Sequence, residues 1–389
     1  MKELPKILLS LDISEVWGRS LMRGIVKYAT IYGPWMFYRQ PPYYLSKKSH
    51  NVIFWARKFN ADGIIMLEPT AAEARQLTKL NIPTVVSGYT RERFPRFANL
   101  LSEHCEMGIM AADHLLERGF QSFAFCGYDR FFWSKQRCKG FTERIEQAGF
   151  SVHVYKQPRT QKERSWEFEQ LILADWLKSL PKPIGIMSCL DSRSLHIVEA
   201  SKIANLRIPI DISIIGVNND ELLCNLAPQP LSSVAISSEQ GGYEVAELMD
   251  RMLQKKVKMK GQIITVRPTH VTTRQSTDMF TIKDRSISEA VHFIRNNFKT
   301  LIQVEDVAAA AKLSKRTLQR KFQTIMGYSV HDAIKNVQIE YIAQLLRETN
   351  MSISQIAISM GYSGPEHISR LFQKAKGMNA SQYRKKFSC

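Results

Sequence analysis

The feature that most constrains this chain is a repeat near its C-terminus. Between residues 303 and 384 two short segments share one design. The first reads Ala308-Ala-Ala-Ala-Lys-Leu-Ser314, then Leu318, Arg320, Phe322 and Gly327. The second reads Ala357-Ile-Ser-Met-Gly-Tyr-Ser363, then Ile368, Arg370, Phe372 and Gly377. From Leu318 onward the offset is constant at 50 residues, as Leu318 to Ile368 and Phe322 to Phe372 show. A short helix, a tight turn capped by Ser and a second helix with a polar outer face describe a helix-turn-helix. One amphipathic helix alone would read as a solvated surface helix. Its recurrence argues for two DNA-reading motifs joined by one helix over 330–346. That connector is about 25 Å long. With its flanking turns it can bridge the ~34 Å between successive major-groove faces.

The side chains divide accordingly. Ser314 is expected to cap the first recognition helix, with Leu318, Phe322 and Ile325 on its apolar side. Lys315, Arg316, Gln319, Arg320 and Gln323 face outward. Arg and Gln pair bidentately with guanine and adenine in the major groove. The second reader offers Ser363, Gly364, Pro365, Glu366, His367, Ser369, Arg370 and Lys374. Pro365 and Glu366 donate little to base edges or phosphates, so the first reader is expected to dominate sequence choice. Upstream, Glu305 and Asp306 sit where acidic groups suit a helix N-terminus. Val307, Ala308, Ala311 and Leu313 form that helix's buried face, and Ile287, Ala290, Val291 and Ile294 form another helix before it.

Charge agrees with a nucleic-acid partner. The 389 residues carry a net charge of +18. From Thr281 to Cys389 there are 17 Lys and Arg against 8 Asp and Glu, so half the excess lies in little more than a quarter of the chain. The six cysteines form no Cys-x-x-Cys pair and share no metal-ligand spacing with the nine histidines. Reduced thiols and no metal are therefore expected, which suits a cytoplasmic protein. Asp12 interrupts the apolar run after Lys6 too early for a signal-peptide core, and no apolar run reaches the ~18 residues needed to span a membrane.

The preceding 270 residues alternate between apolar strands and helices. Strands are expected at 6–12, 35–39, 62–67, 82–87, 122–127, 151–155, 184–189 and 212–217. Helices are expected at 17–31, 71–80, 103–118, 134–148, 163–179, 192–205 and 239–254. Near-continuous apolar strands of this kind build parallel sheets covered on both faces, and the length implies two lobes. Ligands of such sheets bind beyond the carboxyl ends of the strands. The polar residues there are Asp12, then Tyr128 and Asp129, then Asp191, Ser192 and Arg193, then Asn218, Asn219 and Asp220. Together with Arg19, and with ring faces from Trp17, Phe131, Phe132 and Trp133, this is the chemistry a polyol needs. Helix capping alone would account for Asp191 and Asn219. There is no nucleotide loop, nucleophile elbow or zinc-protease motif, so no catalysis and no cofactor are expected. His104, His114 and His196 read as surface or packing residues.

Two resemblances sharpen these readings. Ile214-Ile-Gly-Val-Asn-Asn-Asp220, Pro230-Leu-Ser-Ser-Val-Ala235, Gly242-Tyr-Glu-Val-Ala246 and Cys189-Leu-Asp-Ser-Arg193 together resemble the effector domain of LacI-type repressors and periplasmic sugar-binding proteins over residues 5–275. That resemblance implies a type I periplasmic-binding-protein-like, two-lobed α/β sensor with the sugar between its lobes. It sets Arg137 at the family's sugar-binding Arg and Asp191 at the polar residue after the next strand. Asn218 falls where the family usually has Asp. The segment Ile356-Ala, Gly361-Tyr-Ser363, Ile368-Ser-Arg-Leu-Phe372, Gly377 and Tyr383-Arg384 resembles the signature of AraC/XylS-type transcription regulators over residues 285–387. Lys312 replaces a frequent Gly, Ile368 a usual Phe and Ala380 a usual Pro.

The expected organisation is a sensor over 1–278 and an all-α double helix-turn-helix domain over 279–389. This order of parts resembles pentose-operon regulators. It implies a monosaccharide effector, D-xylose first among the pentoses, and double-stranded operator DNA. It also implies a homodimer that activates transcription with RNA polymerase. A different small ligand, or none, is the alternative, and Asn218 is what keeps it open. An enzyme of sugar metabolism carrying a DNA-binding appendage would need a catalytic motif that is not found.

Overall fold

The computed structural model describes all residues except 1–2, 40–50, 89–93, 161–164, 259, 279–283, 299, 301, 327, 350, 363 and 388–389. It also leaves undescribed the side chains of 285, 292, 295, 296, 340, 344, 347, 348, 367 and 385–387. The chain divides into two compact units, Met1–Asp278 and Met279–Cys389.

The first unit holds two sheets. Its first lobe begins with β1 (Lys6–Ser10), α1 (Val16–Tyr32), β2 (Met36–Arg39), α2 (Val52–Lys58), β3 (Gly63–Leu67), α3 (Ala71–Leu80), β4 (Thr84–Ser87) and β5 (Ala98–Ser102). The chain then crosses to build α4 (His104–Glu117), β6 (Phe123–Cys126), α5 (Phe132–Gln147), β7 (Val152–Val154), α6 (Trp166–Ser179), β8 (Ile184–Ser188), α7 (Asp191–Ile203), β9 (Ile212–Val217), α8 (Glu221–Leu226) and β10 (Ser232–Ile236). It returns to the first lobe for α9 (Ser238–Leu253) and β11 (Ile263–Val266), and crosses once more for β12 (Pro268–Thr272). The sheet orders are β11-β5-β4-β3-β1-β2 and β12-β10-β9-β8-β6-β7.

Every pairing is parallel except one. The last strand, β12, runs antiparallel to β10, with Val234 opposite Val271. The expectation of purely parallel sheets is corrected there, because β12 enters from the other lobe through the single residue Arg267 rather than through a helix. Strands β5, β10, β11 and β12 and helix α8 were not anticipated either. They are short, and β10 opens on two buried serines, Ser232 and Ser233, instead of apolar residues.

The apolar strand runs become the cores. Ile7, Leu9 and Ile65 meet Leu21 and Ile25 of α1 and Val245 and Met249 of α9 in the first lobe. Phe123, Met187, Ile215 and Val234 meet Met107, Ala111 and Leu115 of α4 and Phe141 of α5 in the second. Apart from Ala111, each such side chain contributes about 1.5–3 kcal/mol on burial. Where the chain passes between lobes, the crossings are tied to one another. Glu103 N–H donates to Val266 O at 3.0 Å, and Ser237 N–H donates to Arg267 O at 2.9 Å. Arg267 N–H donates in turn to Ser237 Oγ at 3.0 Å.

The second unit is all helical: α10 (Arg285–Asn297), α11 (Val304–Ala310), α12 (Lys315–Met326), α13 (Val330–Glu348), α14 (Ile353–Ser359), α15 (Pro365–Lys376) and α16 (Ala380–Phe387). It has two cores, and α13 serves both. Val330, Ala333 and Ile334 join Ile287, Ala290, Val291, Ile294, Val307, Leu318 and Phe322. Ile339, Ile342, Ala343 and Leu346 join Ile356, Ile368, Phe372 and Tyr383. A long helix with apolar residues on different faces at its two ends thus supports one helix-turn-helix on each half. Capping boxes start α11 (Gln303 with Asp306), α13 (Ser329 with Asp332) and α14 (Ser352 with Gln355). Ile325 is a correction. It was expected on the apolar side of α12, yet it stands 42% exposed, one turn past Phe322 where that core ends.

Candidate functional site

The carboxyl ends of both sheets open on one cavity of about 590 Å³. The first lobe lines it with Asp12, Ser14, Glu15 and Trp17 after β1, Leu67 after β3, Ser87 and Gly88 after β4, and Ser102 and His104 at the first crossing. The second lobe supplies Tyr128, Phe131, Trp133 and Arg137 after β6, Leu190 and Ser192 after β8, and Asn218 after β9. Of the eight residues read from sequence as ligand-binding, Asp12, Trp17, Trp133, Arg137 and Asn218 lie on this lining.

The other three lie elsewhere, each for a clear reason. Arg19 reaches across the lobes. Its guanidinium pairs with Asp220 at 2.7 Å and also donates to the Ile13 and Ser14 carbonyls. Asp191 sits buried behind the wall. One carboxylate oxygen accepts from Ser233 Oγ at 2.6 Å, the other from Asp220 N–H at 2.7 Å. It occupies the first turn of α7 and does not cap it, because Leu190 holds the cap position. Asn219 directs its N–H to Ser233 Oγ at 3.0 Å. The capping reading belongs one residue on, to Asp220, whose carboxylate accepts from Leu222 N–H and Leu223 N–H at the start of α8. Asn218 and Asn219 both hold positive φ, 100° and 51°, a conformation that Asn tolerates better than most side chains.

The second-lobe wall is aromatic. Phe131 stacks on Trp133 at 5.4 Å, and Tyr128 meets both edge-on. Cations lie at its two ends. Arg137 sits 5.2 Å from the Trp133 ring, and Arg193 sits 5.0 Å from the Tyr128 ring. Arg193 was read as a strand-end polar residue. It is 1% exposed and bridges Glu169 at 2.6 Å beneath the wall. A ring surface bounded by donors and acceptors is suited to the C–H face and hydroxyls of a sugar.

Sequence reasoning missed Glu15, Ser14, Ser87, Ser102 and, above all, His104. The signal for His104 was structural: it is the first residue of α4, and α4 lies against α5 with backbone in contact. A Cβ on Gly108 would come 2.2 Å from Arg137 O, and one on Gly140 would come 2.1 Å from Cys105 O. That crossing seats His104 beside Arg137. Burial, reinforced by the Arg137 charge, holds the His104 imidazole well below its ordinary pKa. Burial pulls Arg137 down to about 10 and pushes Asp191 up to about 7. Glu15 is raised, first by burial and then by Asp220. Arg137 donates to Cys189 O at 2.5 Å and, at 3.5 Å, to Asn218 Oδ1.

In the helical unit, Ser314 Oγ accepts from Thr317 N–H at 3.2 Å and caps α12. Lys315, Arg316, Gln319, Arg320 and Gln323 are exposed while Leu318 and Phe322 are fully buried. Lys315 is paired with Glu305 at 2.5 Å. On α15, Glu366, Arg370 and Lys374 are exposed, Gly364 occupies the cap and Pro365 the first turn. Ser363 and the His367 side chain lie outside the described residues. The two turns match in backbone: Lys312 has φ 54° where Gly361 has φ 80°. Tyr362 Oη donates to Gln338 of α13 at 2.9 Å, tying the second motif to the connector. Ala380 is 2% exposed and starts α16.

Comparison with known proteins agrees with both halves. Residues 112–277 match a periplasmic binding protein-like domain family, and residues 307–386 match a helix-turn-helix domain family. The chain is 30% identical to the xylose operon regulatory protein of Escherichia coli (strain K12) over 329 residues, covering 83% of each. It is 28% identical to the protein of the same description from Haemophilus influenzae, over 97% of this chain and 98% of that one. A solved structure of the xylose-binding transcription activator xylR is similar over the full length of both chains, with a TM-score of 0.77 and 27% identity.

Proposed function

We infer that this chain, which belongs to the family of xylose operon regulatory proteins, is a DNA-binding transcription regulator whose first unit takes D-xylose in the interlobe cleft. The observation that carries the reading is the union, in one chain, of that cleft with two exposed basic helix-turn-helix faces. Residues 1–278 are the sensor and 279–389 the reader. Asp12, Trp17, Trp133, Arg137 and Asn218 contact the sugar, the rings taking its C–H face and the polar groups its hydroxyls. Arg19, Asp191 and Asn219 hold the walls.

A ligand that touches both lobes binds best when they are closed on it, and only that difference in affinity shifts the equilibrium. The Arg19–Asp220 pair belongs to the closed arrangement. On the reader, Arg316, Gln319, Arg320 and Gln323 take base edges, with Ser314 and Lys315 at the helix start against the backbone. Arg370 and Lys374 take phosphates, with Glu366 at the head of the second helix; Ser363 and His367 are assigned to DNA contact from sequence alone. The same reading makes the protein an activator without enzymatic activity. It acts as a homodimer on repeated operator sites in the cytoplasm, with RNA polymerase as its downstream partner. No described helix is long and apolar enough to cross a membrane.

Calorimetric titration with D-xylose, arabinose, ribose and glucose tests the sensor. Saturable binding of D-xylose, lost in Arg137→Ala, is the expected result. Silence with every sugar would move the effector to another chemistry, with Asn218 the first residue to examine. On operator DNA, Arg316→Ala and Gln319→Ala should each cost about 1–3 kcal/mol and relax base preference at one position. Unchanged binding in both would sink the reader assignment.

A further inference from the structure

Two side-chain nitrogens on the cleft residues are buried without a hydrogen-bond partner among the described residues: His104 Nδ1 and Arg137 Nε. Both residues line the cavity. Buried polar atoms are almost always paired, and an orphan costs free energy until something meets it. The two helices that carry them cross closely, since a Cβ on Gly108 would come 2.2 Å from Arg137 O and one on Gly140 would come 2.1 Å from Cys105 O.

The chemistry of the two atoms narrows what could meet them. Arg137 Nε is a donor only. His104, kept uncharged by burial and by the neighbouring guanidinium, offers one donor and one acceptor nitrogen. A hydroxyl group serves both. A carboxylate or phosphate would serve Arg137, but it would share the cavity with Asp12 and Glu15, which line it too. We propose that His104 is a specificity-determining residue of the cleft, hydrogen-bonding through Nδ1 to one hydroxyl of an uncharged sugar while Arg137 Nε donates to another. This rests on the sensor reading above and adds to it a residue whose sequence context suggested only packing.

The test is calorimetry with D-xylose on the full chain, together with thermal unfolding, for wild type, His104→Leu and His104→Asn. Leucine fills the space without a polar atom; asparagine restores an amide at the position of Nδ1. His104→Leu should bind D-xylose about 10- to 100-fold more weakly. Its unfolding midpoint should be equal or higher, since an orphaned nitrogen has gone. His104→Asn should recover most of the affinity. Affinity within threefold of wild type in His104→Leu overturns the proposal while leaving the sensor reading intact. So does a loss of affinity and stability together that His104→Asn fails to restore, which would mark a packing residue. If wild type itself binds no sugar, the sensor reading falls and takes the proposal with it.

Discussion

Asp191 shows how far a residue's role depends on what stands around it. Its place after a strand suggested a ligand contact, but both of its oxygens are held by Ser233 and Asp220. Asp191→Ala would leave those donors unpaired at about 1–3 kcal/mol per group, so the loss should appear as instability of the sensor. Asp191→Asn keeps an acceptor and should fold. The two variants separate further with pH. Burial raises Asp191 from the usual 3.8 to about 7. Between those values the folded chain keeps a proton that the unfolded chain releases. The contribution of Asp191 to stability therefore falls as pH rises from about 4 to about 7 and is flat above, with a slope of at most ~1.4 kcal/mol per pH unit. His114, pushed down to about 3 by burial and then by Arg118, works the other way: stability rises with pH between about 3 and 6.5. Urea midpoints of Asp191→Asn minus wild type isolate the first effect. The variant should gain on wild type from pH 5 to pH 8, and a constant difference would mean that Asp191 is already ionised at pH 5. None of this was legible in the sequence, since partners 29 and 42 residues away leave no local mark.

At the scale of elements the sequence was more open. Strands such as β3, β8 and β9 are continuous apolar runs and could be read directly, whereas β10 hides behind Ser232 and Ser233. Ser233 holds Asp191 and Asn219; Ser232 instead shares a hydrogen bond with Thr277, which His114 also meets at 2.7 Å. Polar residues recruited to a buried strand for their side-chain bonds erase the pattern by which strands are recognised. The helix-turn-helix pair was legible because its repeat is one of packing, Leu318 and Phe322 against Ile368 and Phe372. What the repeat did not reveal is that Lys312 adopts the left-handed backbone of Gly361. Glycine holds that conformation without strain while lysine does so at a cost of about 1 kcal/mol. Lys312→Gly should raise the unfolding midpoint of the C-terminal unit, and Gly361→Lys should lower it, in far-ultraviolet circular dichroism melts. A neutral result for both would mean that neither turn is strained.

For the sensor as a whole, the informative contact is the Arg19–Asp220 pair between lobes. The arginine is partly exposed, so the pair is worth about 1 kcal/mol or less. On the function proposed above it acts on closure and not on folding. Arg19→Gln should weaken D-xylose binding about two- to fivefold while the unfolding midpoint stays put. Unaltered affinity would mean that the pair forms equally in open and closed sensors. The three tied crossings carry a different consequence, which concerns synthesis. The first lobe is not complete when its first five strands have been made, because α9 and β11 come from residues 238–266, after almost all of the second lobe. The second lobe in turn waits for β12. On the ribosome, therefore, neither half of the sensor can close its sheet before residue 266 has emerged. The chain must hold about 260 residues of unfinished core until its last strands arrive, and a message cut short between β10 and β11 leaves each of the two sheets one edge strand short.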